Sequence, residues 1–418
     1  MNLTRPFRPL RFTATQTSGV FLHNAFILPF KDPARAYIYF SSFFFALGSA
    51  FLDVFIAIDS SKLGAAELTY FLLGKFVVAM TFIPFGLYCM GRVNDKILYS
   101  GFIALMAAGL AAIVVLQSQL SPWQAGLIFA MASAPFWPIY HIMFATATTD
   151  KNIGNEVSLS GTGLTVGITV GSLLGGFCSQ YQWGVWGLIS GFVILIGATL
   201  AMIIRAYRSR FTESLQQSGA MSESCFQALK RSRYRSVGAV LEGLFHLPSG
   251  NLWLVYLGTA GIAAGAVGAW QAVMVLSKVV ATPFAGSLVN HGRRREMLFG
   301  SGLNLLGWVP FLFGVGSGFV LLFMNIWAVG MQLFSTGLAS VWYSSRTVAA
   351  IMVREILMGV GRVAATLALV PILYASPLHF IQATLLISVA IFIYSLLWMR
   401  ATRARGRVLQ IENIVTST

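Results

Sequence analysis

Asp53 and Lys75 stand at matching depths in two consecutive apolar stretches, an acid about four residues from the end of one and a base about five residues into the next. An ionisable group inside a membrane is costly unless it has a partner or a task, so the two are expected to form an ion pair that couples or gates. Glu242 and His246 lie four residues apart and share one helix face, just before Pro248-Ser249-Gly250 breaks the stretch. A carboxylate and an imidazole beside a broken helix form a candidate proton or cation site. Lys278 falls in mid-stretch and Arg362 one to two turns beyond Arg354-Glu355; both are candidates to meet an anionic or zwitterionic substrate. Arg354 and Glu355, near a helix end, read as structural. In Pro135-Phe136-Trp137-Pro138-Ile139-Tyr140-His141 two prolines free backbone carbonyls, and Trp137, Tyr140 and His141 become cavity candidates.

The elements that must position these residues are membrane spans. Hydrophobic residues make up 57% of the 418 and charged residues 10%, with mean hydropathy +0.76. Soluble domains carry about 25% charge. Apolar runs of roughly 20 residues, enough to cross ~30 Å of hydrocarbon, recur at about 36–57, 70–90, 98–117, 124–146, 158–178, 184–204, 236–257, 266–289, 297–315, 318–340, 349–373 and 378–399. The expected fold is an all-α membrane protein of twelve transmembrane helices.

A repeat orders them. Pro84-Phe85 and Gly101 recur as Pro283-Phe284 and Gly300, and Asn155-Glu156 as Arg354-Glu355, each at an offset of 199 residues. Two pseudo-symmetric six-helix halves follow, the usual architecture of a secondary transporter with its substrate between them. The expected division is a cytoplasmic N-terminal segment (1–35), a first half (36–204), a cytoplasmic linker (205–235), a second half (236–400) and a cytoplasmic tail (401–418).

The net charge of +15 is spread over alternate loops rather than gathered in a nucleic-acid patch. Arg5 to Arg35, Arg92 and Lys96, Arg205 to Arg235, Arg293 to Arg295, Arg346 and Arg354, and Arg400 to Arg407 all fall on one side; of the opposite loops only the first holds a basic residue, Lys62. By the positive-inside rule both termini are cytoplasmic. The leader is too long for a signal-peptide n-region, and the apolar run after it is long enough to span. Cys89, Cys178 and Cys225 are scattered without metal-like spacing, and no structural disulfide is expected. The Lys230–Arg235 cluster reads as a solvated tether at the lipid surface.

Two segments carry a family resemblance. Gly286-Ser287-Leu288-Val289-Asn290-His291-Gly292-Arg293-Arg294-Arg295 resembles the signature loop of the major facilitator superfamily, in which a glycine and an acid precede Gly-Arg-Arg. Asn290 stands where the acid is typical and the loop is one residue short. Its first-half counterpart keeps Gly86, Arg92, Asp95 and Lys96 loosely. Gly163, Gly167, Gly171 and Gly175 recur every fourth residue, with Gly176 adjacent, and put a flat groove on one helix face. That run is similar to the fifth-helix motif of antiporters in the same superfamily, with Ser172 where a proline is typical. Glycine packing and a sliding interface are compatible readings.

The resemblance implies a transporter that rocks two six-helix halves around a central cavity, with lipid and a small-molecule substrate as partners and the chain as a monomer. The working expectation is proton coupling through Asp53 or the Glu242/His246 pair, export slightly favoured on the fifth-span glycines alone, and a bacterial cytoplasmic membrane as the location. A metal or metal-chelate transporter and a lipid flippase are alternatives within the class; a transport-inactive assembly or delivery partner is the alternative outside it. Without a phosphate-cradling loop, a clustered Cys/His metal site or a nucleophile elbow, no enzymatic activity, no cofactor, no resident metal and no nucleic acid are expected.

Overall fold

A computed structural model describes residues 42–51, 53–54, 64–90, 120–134, 136–137, 140–141, 144, 153–181, 224–313, 317–345 and 347–416. The expected third and sixth spans, the leader, Asp95 and most of the linker lie outside them. In chain order the described helices are α1 (Ser42–Phe51), α2 (Ala65–Met90), α3 (Pro122–Ser133), α4 (Ile153–Gln180), α5 (Cys225–Arg231), α6 (Arg233–Ser249), α7 (Asn251–Thr259), α8 (Ala264–Trp308), α9 (Ser317–Tyr343), α10 (Val348–Ala375) and α11 (Pro377–Thr416). Helical backbone continues from α1 at Asp53 and Val54 and beyond α3 at 136–137, 140–141 and 144. No strand occurs among the described residues.

Among the described residues, seven helical segments are long and apolar enough to cross a membrane: Ala65–Pro84, Gly161–Gln180, Ala264–Gly286, Arg295–Phe313, Phe319–Tyr343, Val348–Ala375 and Pro377–Ala401. The chain is an integral membrane protein. Local chemistry sets several ends. Ser121 caps α3, accepting from the Gln124 amide while the Gln124 side chain accepts from the Ser121 amide, and Pro122 occupies the first helical position. Ser224 and Gln227 repeat that capping box at α5, so the end of the expected linker is helical.

Two expectations change. The eighth and ninth spans were to be joined by a signature loop at 286–295, yet helical backbone runs through Gly286, Asn290, Gly292, Arg293 and Arg294 without a break. No proline interrupts the segment, and its arginines are good helix formers. The tail, too, is helical: α11 continues past residue 400 to Thr416. Gly86 lies inside α2, as the expected second span of about 70–90 has it.

The glycine stripe has a definite partner. A Cβ at Gly167, Gly171 or Gly175 would run into the carbonyl oxygens of Phe43, Leu47 and Phe51, one helical turn apart on α1. The groove therefore seats α1 within the first half; it does not slide against the second. Among the described residues, contact between halves falls mostly on two other pairs, α4 with α8 and α2 with α10, with a smaller one between α4 and α9. At the α4–α8 crossing a Cβ on Gly176 would stand 2.7 Å from Gly268 Cα and 2.9 Å from the Ala264 oxygen, so only glycine fits both sides. Inside the second half, Gly243 on α6 and Gly361 on α10 bring backbone against backbone in the same way. This close crossing sets Glu242 beside Arg354.

Candidate functional site

Polar contacts bridge the two halves at two depths. The first lies toward the face that the positive-inside reading makes extracytoplasmic, called the outer face below. Lys75 Nζ is 2.8 Å from Asp53 Oδ1, joining α2 to the continuation of α1. Lys75 is ten residues into α2, about 15 Å from its outer end. Its ammonium rests 4.2 Å from the Phe129 ring centroid. The same Asp53 oxygen accepts a hydrogen bond from Asn251 Nδ2 of the second half at 3.4 Å. Asn251 opens α7 directly after the break at Gly250, which follows Pro248 inside α6. The break that the sequence reading placed beside Glu242 and His246 thus serves Asn251, a residue it did not single out.

The second bridge lies toward the inner face. Glu242, 1% exposed, accepts from Arg354 Nη2 at both carboxylate oxygens, at 3.1 and 3.2 Å. Arg354 Nη1 reaches Glu355 Oε1 at 2.8 Å. His141 Nε2, from the first half, is 3.4 Å from that Glu355 oxygen. Its Nδ1 is hydrogen-bonded to the Tyr343 hydroxyl. A single tautomer satisfies both: Tyr343 donates to Nδ1, and Nε2–H donates to Glu355. Tyr343, His141, Glu355, Arg354 and Glu242 form one chain of contacts across the seam. His246 Nε2 ends it 3.8 Å from Glu242 Oε1.

Glu242 and His246, predicted as a pair, are brought together, but the strong partner of Glu242 is Arg354, which had been read as structural. Trp137 stacks on His141 with centroids 5.8 Å apart. Tyr140 is 4% exposed between Phe136 and Phe144, part of the aromatic packing rather than a wall of open space.

Lys278 and Arg362 stand between the two bridges. On α8 the outward residues are Val273, Leu276, Val280 and Phe284, while Met274, Val275, Ala281 and Thr282, a turn on either side of Lys278, are buried. Lys278 therefore faces inward. Arg362 does too, flanked by buried Met358, Gly359, Ala365 and Thr366. Its guanidinium lies 5.8 Å from the Phe76 centroid. Neither the ammonium nor the guanidinium has a hydrogen-bond or ion-pair partner among the described residues. His246 also faces inward, one turn from buried Glu242 and Gly243, yet its side chain is 40% exposed.

Among the described residues no group of three His, Cys, Asp or Glu side chains could hold a metal ion. Cys178 is buried, Cys225 half-buried, and neither forms a disulfide among the described residues.

The backbone has the fold of the major facilitator superfamily. The chain is similar to the fucose:proton symporter of E. coli, at TM-score 0.62 and 14% identity over 89% of this chain and 98% of that one. It is similar to a bacterial homologue of the iron transporter ferroportin in an outward-facing state, at 0.62 and 13% over 88% and 99%. The human organic anion transporter MFSD10 matches at 0.65 and 10% over 87% and 100%. No protein-family sequence model matches the chain, and no curated protein matches it in sequence.

Proposed function

We propose that the chain is a secondary transporter that moves a small solute by alternating access and couples that movement to protons. The observation that carries the reading is the pair of inter-half bridges, Asp53–Asn251 toward one face and His141–Tyr343/Glu355 toward the other. A rocking pair of halves must break one seam while keeping the other. Each bridge contains an ionisable group, Asp53 in one and His141 in the other. The three similar structures carry the names of a sugar, a metal and organic anions, so the fold does not select the solute. The glycine stripe that favoured export seats α1 within one half, so direction follows from the gradients the two faces meet. The proposed location is a bacterial cytoplasmic membrane, both termini inside, with the chain working as a monomer.

The sign of the pH response follows from the outer bridge. A neutral side chain at position 53 accepts more weakly from Asn251 Nδ2, which loosens the outer seam. In a variant lacking Cys89, Cys178 and Cys225, single cysteines at Ala264 and Ser344 report the two seams through their alkylation rates in proteoliposomes. On lowering the pH, alkylation at position 264 is expected to quicken while that at 344 slows, and Asp53→Asn is expected to flatten both responses. Rates that rise and fall together, or ignore pH, would sink the proposal.

A further inference from the structure

We infer that the cavity between the two bridges is built for a small organic anion carrying a single oxyanion group, such as a carboxylate, sulfonate or phosphate ester. This deepens the transporter reading by naming the solute class of the same cavity, and rests on it.

The inference begins from charge. The described bundle interior holds four cations, Lys75, Lys278, Arg354 and Arg362, facing three engaged carboxylates, Asp53, Glu242 and Glu355. Asp53 is taken by Lys75. Glu242 and Glu355 are both drawn to Arg354 and lie at contact distance from it. Lys278 and Arg362 are left with no carboxylate in contact, and together they exceed the one negative charge that two acids on one arginine leave over. Glu296 is buried without a hydrogen-bond partner and takes no part in the set. Among the described residues, with Glu296 set aside, the carboxylates in contact with these cations fall one negative charge short.

A surplus positive charge shared by two cations without a contact partner is expensive in a low-dielectric bundle. Sequences keep such groups where a ligand supplies the missing charge. Arginine is suited to the task, since its fork meets two oxygens of one oxyanion at once. Lysine adds a point charge from the opposing helix. Phe76, beneath the Arg362 guanidinium, and Trp137, half-buried and stacked on His141, give the solute's body apolar faces. The His246 ring, 40% exposed and one turn from Glu242, faces inward as well. A divalent cation fits poorly, because it would meet two bases and no free carboxylate. A neutral sugar would leave both charges unanswered.

The test is a comparison of matched probes on the purified full-length protein in nanodiscs at constant ionic strength. Benzoate, benzenesulfonate and phenyl phosphate are set against neutral benzamide and benzyl alcohol, with sodium chloride as the simple-anion control. Binding to the folded state alone raises the melting temperature with concentration. At least one of the three organic anions is expected to do so, and its neutral partner is not. Arg362→Gln is expected to weaken that binding by roughly 10- to 100-fold. Arg362→Lys is expected to weaken it less, and Lys278→Gln to weaken it while Lys278→Arg retains it. The charge-retaining variants separate lost recognition from lost folding. Equal shifts with the neutral probes, equal shifts with chloride, or no shift with any of the three anions in the wild-type protein overturns the inference.

The seam-labelling experiment distinguishes the two failures. Reciprocal seams with silent anions leave the transporter reading standing and remove the anion. Anion binding with immobile seams removes transport and keeps the site.

Discussion

Arg354→Met is expected to destabilise the folded protein by about 3–5 kcal/mol, the usual cost of removing one member of a buried ion pair. Arg354 is 5% exposed and Glu242 1%, so solvent screens neither. Methionine fills most of the volume but leaves Glu242 and Glu355 facing each other as buried carboxylates of like charge. The two would then have to take up protons or admit water, and His141 would lose the anion that fixes its tautomer. The triple change Arg354→Met, Glu242→Gln, Glu355→Gln is expected to recover most of the loss, because a neutral set of similar shape carries no unpaired charge. Denaturant unfolding in detergent compares the three proteins. A single variant within about 1 kcal/mol of wild type would show that the cluster is solvated and not the buried network described above.

Gly268→Val is expected to have the largest effect on conformation. Gly176 and Gly268 touch backbone to backbone at the outer α4–α8 crossing, where even one added carbon would stand 2.6 Å from the Ser172 oxygen. No rotamer relieves an overlap with main chain, so the outer seam must open. Driving a two-state equilibrium from 1:99 to 99:1 takes about 5.5 kcal/mol, and a side chain of three carbons against backbone is a steric wedge of that order. Alkylation at a cysteine in position 264 is expected to rise at least about tenfold, with that at 344 falling in step. The variant should remain folded, since the crossing joins halves rather than holding either together. Unchanged rates in a monodisperse Gly268→Val protein would mean that α4 and α8 do not close this seam.

Much of this was legible in the sequence, for reasons tied to particular residues. Asp53 and Lys75 could be paired because opposite charges at one depth in neighbouring apolar helices have few other ways to be tolerated. Glu242 and His246 could be placed on one face by helical spacing alone. Asn251 and Tyr343 were missed because neutral polar side chains carry little penalty in a helix, so nothing in composition marks them. Their partners depend on how two halves cross. Arg354 was underrated since a base near a helix end resembles an ordinary interfacial anchor; the close crossing at Gly243 and Gly361 is what draws it into the core. The glycine stripe shows the same limit. Four-residue spacing identifies the face, but only the fold shows that the face meets α1. The signature segment reads as a loop because its arginines are polar, although polarity without a proline does not stop a helix.

The bridging contacts have sequence separations of 198 for Asp53 and Asn251 and 202 for His141 and Tyr343, within one and three residues of the repeat offset of 199. Each contact joins a residue to the neighbourhood of its repeat counterpart, Leu252 for Asp53 and Ser340 for His141. Were the protein a homodimer of one six-helix unit, each such residue would face a copy of itself, and an aspartate there would confront an aspartate. Joining the units in one polypeptide lifts that restriction. An acid can then oppose an amide and an imidazole a phenol, so the two bridges carry unlike chemistry. A pair of identical subunits would have to meet on self-pairs; this chain places a donor opposite an acceptor at each bridge.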